Sequence, residues 1–117
     1  MSTPSKARNL DGEYTQSSPA ANREVASKQF TLDSGTSSAT LTAGVSGMKR
    51  KKLLVRCKSA AGITVYLGDS SVTTSDGFPM YDGDQQEFDI DEGATMKAVG
   101  SGLTGAAEAT IYILELE

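Results

Sequence analysis

The sequence contains no histidine and no tryptophan, and Cys57 is its only cysteine. Without histidine, the chain lacks the usual general base at neutral pH and the most common zinc ligand. A single cysteine excludes an internal disulfide, which agrees with synthesis and folding in a reducing cytoplasm. We therefore expect a protein that is not an enzyme, with no catalytic residues, no metal site and no cofactor.

Aromatic residues and long apolar runs are also scarce. Aromatics make up 6% of the 117 residues, so the core must come from Val, Ile, Leu and Ala. Such a core buries little apolar area for a monomer, and small domains often bury more by associating with another chain. No run approaches the roughly 20 apolar residues of a membrane span, and the N-terminus lacks the apolar stretch of a secretory signal. With a formal net charge of −4, we expect neither a membrane nor nucleic acid as partner.

Residues 1–27 are poor in apolar side chains and contain two of the three prolines. A segment of this composition cannot bury enough surface to offset the entropy lost on ordering. We predict an extended N-terminal arm over 1–27 that is ordered only on a partner, followed by a β domain over 28–117. A short helix over 20–27 is a weaker alternative. The candidate partner contacts in the arm are Arg8, Tyr14 and Arg23.

From Lys28 onward, apolar and polar residues alternate with the period of two that is typical of half-buried strands. Gly, Asp and Pro interrupt the segment 62–99 every few residues, which excludes long helices and indicates tight turns. The spacing predicts an all-β fold, a small antiparallel β-sandwich or jelly roll of about eight strands.

The segment 108–117 is the strongest predicted strand, because its residues 111–114 are apolar on both faces. This pattern is typical of a central strand, or of a strand whose outer side is covered by a partner. Ile111 and Ile113 are therefore candidate partner contacts. Cys57 lies on the apolar face of a predicted strand over 51–58, where we expect it to be a small core residue.

Eight acidic residues and no basic residue lie between Asp69 and Glu92. Their oxygens could bind a hard cation such as calcium, but their spacing does not match an EF-hand loop. Aspartate is also frequent in turns, where its side chain bonds to nearby backbone. We favour turn and surface roles over a cation site.

Four consecutive basic residues occupy 49–52, and Arg56 and Lys58 follow. Such a patch can hold phosphates, but no aromatic side chains are interleaved to stack bases. A solvated strand face is the simplest interpretation. The next is steering of a protein partner of opposite charge, because the acidic run lies close in the sequence.

One hairpin has a distinctive pattern: Val65-Tyr66-Leu67-Gly68, then Val72 to Met80 in the form Val-Thr-x-x-x-Gly-x-Pro-apolar, then Gly83 and Phe88. Gly68 and Gly77 offer positive φ angles, and Pro79 suits a strand start, an edge or a bulge. With Gly83, these residues are predicted to fix the register of the hairpin. The pattern resembles one in small structural proteins of tailed phages.

This resemblance implies a head decoration (cement) protein of jelly-roll type, made in the bacterial cytoplasm and placed on the outer surface of the virion capsid. It implies the major capsid protein as partner, a homodimer or homotrimer, and no catalytic residues. The expected function is binding to the assembled shell and stabilising it. The alternative is an adhesive fibre-tip or carbohydrate-binding β module of a virion, which would need exposed aromatic side chains. A hydrolytic enzyme is the least favoured class.

Overall fold

The computed structural model describes residues 24–117, which contain eight β-strands and no helix. The strands are β1 (Val25–Leu32), β2 (Ser38–Thr40), β3 (Lys52–Ser59), β4 (Thr64–Gly68), β5 (Phe78–Met80), β6 (Gln85–Asp89), β7 (Lys97–Ser101) and β8 (Ala109–Leu116). The predicted all-β fold is confirmed.

The strands form two antiparallel four-stranded sheets. The long-stranded sheet has the order β1-β8-β3-β6, and the short-stranded sheet has the order β2-β7-β4-β5. The first strand thus pairs with the last, the second with the seventh, the third with the sixth and the fourth with the fifth. This nested pairing is the strand order of a jelly roll.

The core lies between the two sheets and is filled by aliphatic side chains from alternate strand positions. In β8, Ile111 and Ile113 point inward and are 0% and 3% exposed. β8 lies between β1 and β3, so its prediction as a central strand is confirmed. The same burial corrects the assignment of Ile111 and Ile113 as partner contacts, because both side chains are enclosed within their own domain.

The first strand begins at Val25, three residues before the predicted start of the domain at Lys28. Residues 25–27 pair with 114–116 of β8, so they belong to the sheet and form neither arm nor helix. The rest of the predicted arm, with Arg8, Tyr14 and Arg23, lies outside the described residues.

The hairpin from β4 to β5 differs in detail from its prediction. Residues 69–77 form the loop of this hairpin, and the Val72 side chain packs inward from it. Gly68 and Gly77 do not have positive φ. They are required for space instead, because a Cβ on Gly77 would lie 2.5 Å from the Cβ of Tyr66.

The other two residues of the pattern are Gly83, which lies in the turn after the hairpin, and Pro79, which lies at an edge as predicted. Gly83 has φ +87° in the turn between β5 and β6, where an L side chain would be strained. Pro79 lies in β5, at the edge of the short-stranded sheet, and pairs with Tyr66. An edge strand is where a residue without a backbone N–H is tolerated.

We expect Gly77→Ala to lower the free energy of unfolding by about 1–3 kcal/mol, because the new methyl group forces Tyr66 or Val72 to move. Gly105→Ala is the matched control, since a Cβ there meets nothing within 4 Å and the residue has no positive φ. Urea denaturation of both variants measures the difference. Equal stability of the two variants would contradict the packing role of Gly77.

Candidate interaction surface

The outer face of the long-stranded sheet is the surface that we consider for function. The cross-strand register places its residues in three complete rows and one shorter row. They are Val25, Leu116, Lys52 and Asp89; Ser27, Leu114, Leu54 and Glu87; Gln29, Tyr112, Arg56 and Gln85; and Thr31, Thr110 and Lys58.

The centre of this outer face is apolar. Leu54 pairs with Leu114, and Tyr112 and Leu116 are the next outward residues along β8. All four side chains are only half-buried, although they lie on the two central strands. The outer face of the short-stranded sheet is different, because it carries mainly small or polar residues: Ser38, Thr40, Thr64, Tyr66, Gly68, Pro79, Lys97, Val99 and Ser101.

One end of the outer face carries an excess of negative charge, and we call it the acidic end. Lys52 Nζ lies 3.2 Å from Glu87 Oε2 and 3.4 Å from Asp89 Oδ1, and all three side chains are exposed. Hydrogen bonds to Glu87 and Asp89, together with their charges, raise the pKa of Lys52. These three formal charges, one positive and two negative, sum to −1.

The opposite end of β3 carries Arg56 and Lys58, and we call it the basic end. Both side chains are exposed, and neither forms an ion pair with any residue in 24–117. They border a shallow depression of about 540 Å³ that Tyr112 and the turn residues Asp82 and Gly83 also line. With Asp82 included, the formal charges at this end sum to +1.

Arg50 does not belong to the surface basic cluster in which the sequence places it. Its side chain is buried, and Arg50 Nη1 donates to Glu115 Oε2 at 2.7 Å, with Glu115 equally buried. Glu115 occupies the inward position of β8 that follows Ile113, so it brings a carboxylate into the end of the core. The Arg50 guanidinium also donates to the backbone carbonyls of Leu41, Asp91 and Ala94.

This ion pair ties two loops to β8. Glu115 Oε1 accepts a hydrogen bond from the backbone N–H of Ala43 at 3.0 Å, while Arg50 holds the segment 91–94. A cleft of about 290 Å³ lies beside the pair and opens between these loops. Because nearly all polar atoms of the pair are bonded within the chain, with Arg50 Nε the exception, its role is structural.

The acidic run is built into turns, as the sequence analysis favours. Its carboxylates accept hydrogen bonds from backbone N–H groups. The backbone N–H of Thr73, for example, donates to Asp76 Oδ1, and hydrogen bonding by Thr73 holds the pKa of Asp76 below its ordinary value. Within 24–117, no group of three or more acidic, His or Cys side chains is arranged to hold a metal ion. The turn aspartates that accept backbone hydrogen bonds are Asp69, Asp76, Asp82, Asp84 and Asp91.

Cys57 is fully enclosed between the sheets, which confirms its prediction as a core residue. Desolvation by burial raises the pKa of its thiol above the ordinary value. A neutral, inaccessible thiol is a poor nucleophile.

Comparison with known proteins adds no assignment to this surface. No protein-family model matches the chain, and a search of curated proteins finds no match. In the part of the chain that the structure describes, no helix is long and apolar enough to span a membrane.

Proposed function

We propose that this chain is a decoration (cement) protein of a tailed-phage head, which binds the assembled shell and stabilises it without catalysis. The observation that carries the proposal is the outer face of the long-stranded sheet, where a half-buried apolar centre is bordered by charges of both signs. Such a surface suits docking to another protein, since burial of the apolar centre contributes affinity and the charges around it orient the partner. The phage assignment is supported by the hairpin pattern over 65–88.

The proposed partner is the major capsid protein, and the proposed location is the outer surface of the virion. A protein that binds only the assembled shell stabilises that state by mass action, so many modest contacts add up over a particle. Residues 1–23 precede β1 at the acidic end of the outer face, where Glu117 N–H donates to Glu24 O. From this end the proposed arm, with Arg8, Tyr14 and Arg23, would reach neighbouring shell subunits.

The test is to assemble particles with and without this protein and to heat both. We expect shells that lack it to rupture at a lower temperature, and we expect the purified protein to restore the original rupture temperature when it is added back. Light scattering and release of packaged DNA measure the rupture. Equal rupture temperatures at full occupancy would contradict the proposal.

One observation favours the alternative of an adhesive virion module. Phe78 and Tyr81 are 52% and 56% exposed, and Phe78 packs edge-on against Phe88 with ring centroids 6.5 Å apart. This aromatic edge beside β5 is the kind of surface on which a sugar ring can stack. Particles without the protein that resist heat normally but fail to adsorb to host cells would favour adhesion over shell stabilisation.

A further inference from the structure

We infer that the edge of β6 that faces away from β3 binds an extended segment of another protein, in which lysine or arginine alternates with apolar residues. The segment would add an antiparallel strand beside the outer face of the long-stranded sheet, so the inference does not depend on shell binding through that face. It is carried by the backbone groups of β6, by an aromatic rim beside them and by the charge around them.

The backbone of β6 offers hydrogen-bonding groups along one side. β6 is the last strand of its sheet, and Ile90 N–H, just beyond it, donates to Lys51 O at 3.0 Å. The even-numbered residues therefore face β3, and the intervening residues direct their N–H and C=O groups the other way. These residues are Gln85, Glu87 and Asp89, and their backbone groups form no backbone hydrogen bond within 24–117.

The other three sheet edges are less suited to strand addition. β2 and β5 have three residues each, and β5 contains Pro79, which has no N–H. In β1, the exposed Lys28 occupies an inward position opposite Ile113, where an added strand would trap its charge against the core. β6 has five residues, and its inward residues Gln86 and Phe88 carry no charge.

An aromatic rim lies on the inner side of this edge. Phe88 of β6 and Phe78 of β5 occupy inward positions on the edge strands of the two sheets, and their ring centroids are 6.5 Å apart. Phe78 is still 52% exposed, so residues 24–117 leave the gap between the two edge strands partly open. Apolar side chains on the inner side of an added strand would cover both rings and add affinity to the backbone hydrogen bonds.

The charge around the edge favours a basic segment. Between Lys58 and Lys97 the sequence contains eight acidic residues and no lysine or arginine. Among residues 24–117, Lys52 is the only cation that pairs with Glu87 and Asp89, so one negative charge is left over. Directly opposite residues of an antiparallel pair share a face of the sheet, so lysine or arginine on the outer side of the added strand would meet these carboxylates.

Titration of the isotopically labelled full chain with the acetylated peptide Lys-Val-Lys-Val-Lys, followed by NMR, tests the inference. We expect the amide signals of Gln85, Glu87 and Asp89 to shift and their hydrogen exchange to slow. The matched peptide Glu-Val-Glu-Val-Glu should bind at least about fivefold more weakly, because like charges would lie opposite one another. N-methylation of the central lysine amide, which would face β6, should abolish binding, whereas N-methylation of a valine amide, which would face away, should not.

Two variants at one position separate the backbone from the charge. Both Glu87→Gln and Glu87→Pro remove the carboxylate, but only proline removes the N–H that points away from β3. We expect Glu87→Gln to weaken binding of the lysine peptide about two- to fivefold and Glu87→Pro to abolish it. The N-methylated peptides test the same hydrogen bonds on the wild-type chain and do not depend on the folding of Glu87→Pro.

Equal binding of the lysine and glutamate peptides would overturn the inference, as would equal binding of the two N-methylated peptides or no shift in β6 at millimolar peptide. Shifts confined to Leu54 and Leu114 would place the peptide on the outer face instead. Slow exchange of the three β6 amides in the free chain would also overturn it, because another part of the chain or a second copy would already occupy the edge.

Discussion

We expect Arg50→Met to lower the free energy of unfolding by about 3–5 kcal/mol, because it leaves the buried carboxylate of Glu115 without its cation. The substitution also removes the donors to the carbonyl groups of Leu41, Asp91 and Ala94. Without Arg50, the loops that carry these carbonyl groups would have to rearrange so that the carbonyl oxygens reach water. Urea denaturation followed by circular dichroism measures the change.

Two further variants separate the ion pair from other effects of the substitution. Lys49→Met removes a neighbouring exposed cation, and we expect it to change stability by no more than about 0.5 kcal/mol. In Arg50→Met/Glu115→Met, no unpaired charge remains, so we expect part of the stability to return. An Arg50→Met variant as stable as Lys49→Met would show that the pair contributes little.

The fold could be predicted to a large extent because the alternation of side chains along a strand is a local property. In β8, the order Ile111, Ile113, Glu115 on one face and Tyr112, Leu114 on the other is visible in the sequence, and the structure has the same alternation. The inward isoleucines are apolar because they fill the core between the two sheets, whereas Tyr112 and Leu114 on the outer face are only half-buried. Four of the five turn aspartates were also predictable, since their hydrogen bonds reach only two or three residues along the chain, whereas Asp82 accepts from Ser59 N–H, 23 residues away.

The Arg50–Glu115 pair could not be predicted in this way, since its two members are 65 residues apart. Arg50 stands among surface lysines in the sequence, so nothing nearby marks it as buried. The one available signal is Glu115, an acidic residue at an inward strand position, which requires a buried partner. The roles of Gly68 and Gly77 also depend on the folded structure, because the contacts with Val72 and Tyr66 that exclude a Cβ arise only when the loop 69–77 folds onto β4.

We expect Ile113→Asp to unfold the domain, whereas Leu114→Asp, one residue further along β8, should leave it folded. Removing a buried isoleucine side chain costs about 2–5 kcal/mol, and burying an unpaired carboxylate costs several more. The sum approaches the whole stability of a domain of this size, about 5–15 kcal/mol. Leu114 points to the outer face and is half-buried, so a carboxylate there stays in contact with water.

The pair of variants distinguishes the two faces of one strand, because the substituted residues share β8 and differ only in side-chain direction. Circular dichroism should show loss of sheet structure for Ile113→Asp and a cooperative unfolding transition for Leu114→Asp. A cooperative transition of Ile113→Asp at the wild-type urea midpoint would place this face of β8 outside the core.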